Sequence, residues 1–315
     1  MEKQVCFIGT AGWGIPSRYK EEFPQPGSHL ERYSRHFPIV EIDTSFYKPH
    51  RRETYERWAG SVPAHFRFAV KMPKAMTHEH RLADCEALAD AFLRQVEGLG
   101  GKLSVLLVQL PPSLPYEPDI AGGFFDMLSK RTKARLACEP RHASWFEAEA
   151  EALLAGRRIA RVAADPAPVP AAAVPGGWAG LAYFRWHGMP RVYYSDYDAE
   201  SLARIRQQVQ TAAASGAEVW GIFDNTAAGH ALGNALAVDA VVAQTPLPSP
   251  LVGEGKKPAS RSHSVPGTPC PPLPAHTRTP SSRSSDTRHA PETPPAPCPP
   301  PAPAAGRGRK IRWRR

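Results

Sequence analysis

The sequence predicts an α/β chain whose eight parallel strands close into a (β/α)8 barrel of the TIM type, followed by a separate low-complexity tail. Three observations predict it. Eight short apolar runs each close on a polar or charged cluster, helical periodicity or turn-rich sequence separates them, and together they span about 250 residues, the size of one such barrel. The runs are Val5 to Gly9, Ile39 to Asp43, Phe66 to Met72, Ser104 to Gln109, Arg135 to Glu139, Ile159 to Asp165, Leu181 to Trp186 and Glu218 to Asn225.

The connections read as helices where the apolar spacing allows. Leu82, Cys85, Leu88, Phe92, Val96 and Leu99 recur at three- and four-residue steps, which marks one buried stripe, and Gly98, Gly100 and Gly101 stop it. Asp198 reads as the N-cap of a later helix whose inner face carries Leu202, Ile205 and Val209. Along a strand, residues two apart share a face, so Glu41 goes with Asp43, Glu139 with Arg141, and Arg185 with His187. Each pair closes its run, at the strand end where barrels of this kind carry their chemistry. Lys71, Gln109, Asp165, Asp224 and Asn225 hold the same position on other strands.

Charge divides the chain in two. The net charge is +9, yet residues 246–315 hold 12 Lys and Arg against 3 Asp and Glu, leaving 27 of each sign in residues 1–245. The barrel domain, 1–245, is therefore neutral overall, which argues against the broad basic surface of a duplex binder, and only local clustering could give it a basic patch. The tail, 246–315, holds 18 of the 35 prolines and little apolar residue to bury, so it is expected to be disordered. A GC-rich gene read beyond its proper end yields the same composition, and no function is assigned to it. Cys6 and Cys138 fall in strands and Cys85 on a helix face, with no CxxC pair to hold zinc or run disulfide exchange. The first strand begins a few residues after Met1 and no apolar run approaches membrane-spanning length, so the expectation is a cytoplasmic protein without a membrane partner.

The strand-end segments resemble a known family. They are Gly9-Thr10-Ala11-Gly12-Trp13, Glu41-Ile42-Asp43-Thr44-Ser45-Phe46-Tyr47, Phe68-Ala69-Val70-Lys71, Thr77-His78, Gln109-Leu110-Pro111-Pro112-Ser113, Glu139-Pro140-Arg141-His142 with Ser144-Trp145, Arg185-Trp186-His187-Gly188, and Asp224-Asn225 with Asn234-Ala235. In this order they resemble the motifs of the domain-of-unknown-function 72, or YecE-like, family. The resemblance implies a TIM-type barrel and no settled activity. Ala11 stands where the family usually has Ser, Pro140 where an aromatic is common, and Asp224 where Asn is frequent.

The residues themselves point to acid–base chemistry on an anionic, phosphorylated or sugar-like, substrate. Lys71, Arg141 and Arg185 would hold the anion, Glu41 or Glu139 would act as base, and His78 or His187 would supply or orient the proton. The same cations could instead be paired internally with Glu41, Asp43, Glu139 and Asp224, an ion-pair network that serves the fold alone. Trp13, Tyr47, Gln109, Asp224 and Asn225 complete the expected substrate-binding set. The alternative is a non-catalytic barrel binding nucleic acid, its cations on phosphates and Trp13, Tyr47 and Trp145 stacked on bases. His78, His80, His142 and His187 with nearby carboxylates raise a divalent-metal site, but their spacing matches no ligand signature, so no metal or cofactor is assigned. The oligomeric state is likewise unassigned. Gly9, Gly12 and Gly14 fit neither a dinucleotide fingerprint nor a P-loop, and no G-x-S-x-G elbow is present.

If the barrel is complete by residue 245, deleting 246–315 leaves a folded domain. Thermal unfolding of full-length and truncated chains is expected to give matching midpoints; failure of the truncated chain to fold would show that the tail belongs to the core.

Overall fold

The computed structural model describes residues 6–242, with side chains described through Asp239. The tail expected to be disordered lies outside the described residues. In chain order the elements are β1 (Cys6–Thr10), α1 (His29–Tyr33), β2 (Ile39–Ile42), α2 (Arg52–Gly60), β3 (Arg67–Lys71), α3 (Glu86–Val96), β4 (Leu103–Gln109), α4 (Pro118–Arg131), β5 (Arg135–Glu139), α5 (Ala148–Gly156), β6 (Ile159–Arg161), β7 (Ala163–Asp165), β8 (Gly176–Gly177), β9 (Leu181–Trp186), α6 (Ala199–Ala214), β10 (Glu218–Phe223) and α7 (Ala231–Val242).

The strands form two parallel sheets that meet as one TIM-type barrel. One runs β1-β10-β9-β7 and the other β2-β3-β4-β5-β6, with β8 added antiparallel to β6 at the edge. The sheets join twice. At Val162 the predicted sixth strand is interrupted, so its first half, β6, pairs with β5 and its second half, β7, pairs with β9. At the other seam β1 and β2 share one bridge, Ala11 with Glu41, and Gly12 N–H donates to Glu41 O at 2.8 Å.

Tyr33 stitches that second seam. Ser28 and Glu31 form a capping box that starts α1, and α1 brings Tyr33 under the two strands. The Tyr33 hydroxyl accepts from Thr10 N–H at 2.9 Å and donates to Ile39 O at 3.0 Å, doing the work of a missing ladder rung. Gly9 makes room for it: a Cβ there would stand 2.5 Å from Ile39 O and 3.1 Å from the Tyr33 hydroxyl.

Alternation along the strands makes two cores. Outward side chains pack beneath the helices, while Ile39, Ala69, Val105, Leu107, Ala137, Val162, Tyr183 and Ile222 fill the barrel interior. Arg135 closes the floor, pairing with Glu218 at 2.8 Å, and Trp220 Nε1 donates to the same carboxylate at 2.8 Å.

Two connections depart from expectation. The predicted stripe from Leu82 to Leu99 is helical only over α3; Leu82 has a φ of +71° and Leu99 lies in a 3-10 turn after Val96. Both ends still bury their side chains, which is why the spacing looked helical. Between β7 and β9 there is a 3-10 turn, Pro170–Ala173, but no α-helix. Arg161 and Glu151 pin this segment: Arg161 Nη1 donates to Ala171 O at 3.1 Å, and Glu151 Oε2 accepts from Gly177 N–H at 2.7 Å. A groove of about 480 Å³, lined among others by Val174, Trp178 and Phe184, occupies the helix's place. Asp198 caps α6 as predicted, accepting from Ser201 N–H at 2.8 Å.

Tyr33→Phe strips a buried rung from the β1–β2 seam and strands Thr10 N–H and Ile39 O. The expected cost is about 1–3 kcal/mol, measured by chemical denaturation; an unchanged midpoint would show that the seam does not depend on this hydroxyl.

Candidate functional site

Charged side chains gather at the C-terminal mouth of the barrel in two levels. Below lie Glu41 from β2, Glu139 from β5 and Arg185 from β9, the glutamates and the arginine all sealed from solvent. Above them lie Asp43, Lys71, Gln109, Arg141, His187 and Asp224, contributed by the ends of six strands.

Arg185 organises the lower level. It is 0 % exposed, and a buried guanidinium is tolerable only when its N–H groups meet compensating acceptors. Nη1 donates to Glu139 Oε2 at 2.6 Å, and Nη2 donates to Glu41 Oε1 at 2.7 Å and Asp224 Oδ2 at 2.9 Å. Nε donates to Glu41 Oε1 at 3.1 Å, and Tyr183 donates to the other Glu41 oxygen at 2.7 Å. The expectation that Arg185 holds an anion is thereby corrected, because its donors are already spent on carboxylates. Glu41 and Glu139, expected as bases, are sealed from solvent on the Arg185 guanidinium. Burial raises the Glu41 pKa despite Arg185. Burial would also raise that of Glu139, but Arg185, Arg141 and His187 hold it well below the usual range.

The upper level has donors to spare. Arg141 reaches Glu139 Oε1 through Nη2 at 2.9 Å and Nε at 3.2 Å, leaving Nη1 without a protein partner among the described residues. About a quarter of its side chain, 25 %, is exposed. Lys71 Nζ pairs with Asp43 at 2.9 Å and sits 4.4 Å from the centre of the Phe46 ring, using one of three N–H donors on the pair. Asp43 is the open carboxylate of the group, 32 % exposed.

The two histidines have opposite environments. His187 lies between Asp224 Oδ2, 3.0 Å from Nδ1, and Glu139 Oε1, 3.3 Å from Nε2. Burial disfavours its charge, but the two carboxylates prevail and raise its pKa. His78 stands on a π-turn, Ala75–Glu79, a wide turn often found at functional sites. Its Nδ1 is 2.8 Å from Thr77 Oγ1, and its ring meets Phe46 edge-on at 5.0 Å. Burial, then Lys71, Arg141 and Lys74, lower its pKa.

Other expected residues fall elsewhere. Tyr47 is 76 % exposed and packs edge-on against Phe46, which is the aromatic that faces Lys71 and His78. The turn Thr44–Phe46 ends the strand alternation and exchanges the two. Trp13 packs on Trp58 at 4.9 Å, and Trp145 is buried with its indole N–H donating to Leu114 O. Asn225 is buried, its amide N–H groups donating to Ser195 O and Asn234 Oδ1 while its Oδ1 has no hydrogen-bond partner among the described residues. His142 bonds to Ser144, capping a turn. Among the described residues no cluster of His, Cys, Asp or Glu is disposed as a metal cage, and no helix is long and apolar enough to cross a membrane. Asp43, Phe46, Tyr183 and Tyr193 belong to the site or its rim but were not in the expected set.

Comparison with known proteins places this geometry. A family profile described as "Protein of unknown function DUF72" matches residues 7–255. The chain is 30 % identical over 174 residues to the UPF0759 protein YecE of Escherichia coli K12, covering 53 % of this chain and 62 % of that protein. It is 30 % identical over 148 residues to the UPF0759 protein YunF of Bacillus subtilis, covering 45 % and 52 %. The matches thus span less than two thirds of either relative. Among solved structures, a DUF72 family protein from Enterococcus faecalis superposes with a TM-score of 0.64 at 22 % identity, covering 78 % of this chain and 99 % of that one. Another from Thermotoga maritima gives 0.61 at 24 %, covering 75 % and 98 %.

Arg185→Met removes the shared partner of three buried carboxylates. The expected loss is about 3–5 kcal/mol of stability, read by chemical denaturation. An unchanged stability would mean that the carboxylates are satisfied without it.

Proposed function

The chain belongs to the DUF72 family, and from that premise we propose that it is an enzyme acting by acid–base chemistry on a small substrate with an anionic group, bound at the barrel mouth. The observation that carries the reading is that His78 and His187 flank Arg141, His78 feeling its charge and His187 sharing Glu139 Oε1 with it, while the His78 pKa is lowered and the His187 pKa is raised. Groups driven apart in this way suit the two halves of a proton transfer. They share a neighbourhood: His78 feels Lys71 and Arg141, and Arg141 and His187 hold the same Glu139 oxygen.

Arg141 Nη1 and the Lys71 ammonium seat the anionic group, and Asp43 receives a substrate hydroxyl. His78 is neutral at physiological pH; with Nδ1–H donating to Thr77, its Nε2 carries the lone pair that takes the proton. His187, whose ring nitrogens rest on Asp224 and Glu139, returns one after a ring nitrogen exchanges its carboxylate for the substrate. Mixed charge limits the ligand. Four carboxylates face Arg185, Arg141 and Lys71, with His187 between two of them, so the mouth has no excess of positive charge and suits one anionic group on a polar molecule better than a polyanion. The nucleic-acid alternative loses one of its three stacking residues, since Trp145 is buried.

Histidine titration by NMR is expected to give His78 a pKa below 6.5 and His187 one above it. The linkage follows from the signs. A raised His187 pKa adds stability that is full below 6.5 and fades as pH rises through the folded value, so His187→Gln should flatten the decline on the alkaline side. His78 acts oppositely, costing stability as pH falls below 6.5. For activity, wild-type and His78→Asn chains are incubated with a small-metabolite extract and followed by mass spectrometry. Consumption of a phosphate ester or carboxylate by wild type alone is the expected result; identical profiles would defeat the enzyme reading.

A further inference from the structure

The loop after β9 is built to hold one side chain over the mouth. It begins at Gly188, with a φ of +88°, where a Cβ would stand 2.7 Å from Ser195 O. It closes where Gly188 N–H donates to the Tyr197 hydroxyl at 2.9 Å, and where Asn225 holds Ser195 O at 2.9 Å. Between these clamps Tyr193 is forced to a φ of +70°, a left-handed conformation costly for a tyrosine. Its backbone is pinned from both sides, its N–H donating to His187 O at 2.6 Å and its carbonyl accepting from Ala227 N–H at 3.0 Å.

That position is at the site itself. The Tyr193 ring meets His187 edge-on at 5.6 Å, and the side chain is near enough to Arg141 to count among the groups that set its pKa. The ring is partly open, 36 % exposed, and its hydroxyl has no hydrogen-bond partner among the described residues. Strain of this kind persists where the surrounding structure holds it in place, and it concentrates at ligand clamps.

Resting on the acid–base reading above, we propose that Tyr193 is a ligand-contacting residue whose hydroxyl joins Arg141 and Lys71 in seating an oxyanion, either a phosphate monoester or a carboxylate. A phenol adds a directional donor to two cations and covers His187 from bulk water, so loop and anion seat form one recognition unit.

The test uses the full chain with labelled histidines. Inorganic phosphate and, separately, acetate are titrated while the His187 ring resonances are followed, a local probe that ignores anions held by the basic tail. Tyr193→Phe is expected to weaken the preferred anion about tenfold at an unchanged unfolding midpoint. Tyr193→Asn, tolerant of the left-handed backbone, is expected to weaken it as much with a midpoint unchanged or higher. Tighter phosphate identifies a phosphate ester as the ligand class, and tighter acetate a carboxylate. An anion that Arg141→Met releases but Tyr193→Phe binds as well as wild type overturns the role of Tyr193 alone. A fall in the Tyr193→Asn midpoint also overturns it, by showing that the residue serves the fold. If neither anion moves His187 in the wild-type chain, the anion seat itself fails, and this assignment with it.

Discussion

The structure depends on a buried guanidinium. Arg185 comes from the four-stranded sheet, while Glu41 and Glu139 come from the other sheet. Burying a charge without partners costs far more than the pair gains, so the two sheets are held in a single relative position by the requirement that these groups meet. The site is therefore a joint as well as a candidate reaction centre. Its carboxylates are oriented from below, which leaves the cations of the upper level to face outward.

Division of labour between the levels follows from desolvation. The sealed groups on Arg185 set the charge of those nearer the opening. Glu139 holds Arg141 and His187 through one oxygen, and Asp224 fixes the opposite nitrogen of the same imidazole. His78 sits across the mouth with cations and an aromatic edge for neighbours. Two identical side chains thus acquire different protonation preferences from burial and the sign of the nearest charge.

Much of this was legible in the sequence. The eight runs locate the strands to within a residue or two, because apolar runs closing on charge are what buried parallel strands require. Alternation also places Glu41, Glu139, Arg185 and His187 on the interior face correctly. Residue types alone raise both an anion site and an internal ion-pair network at Arg185, and spacing does not choose between them, since the three carboxylates that converge on it lie 39 to 144 residues away in sequence. Phe46 was mistaken for its neighbour Tyr47 because a 3-10 turn replaces the two-residue period there. Tyr193 belongs to a loop without periodicity, and its importance lies in a backbone angle that a sequence does not display. The bend at Leu82 was missed for the same reason.

The quadrant without a helix has a consequence for motion. Elsewhere the backs of the strands lie under helices, but the outer faces of β7 and β9 are covered in part by a pinned turn and an open groove. Fewer apolar contacts there mean a smaller free energy for local opening, so amide hydrogens of β7 should exchange with solvent sooner than those of β3 or β4. Because β9 carries Arg185 and His187, the most easily breathing wall of the barrel is also the one bearing the central charge of its mouth.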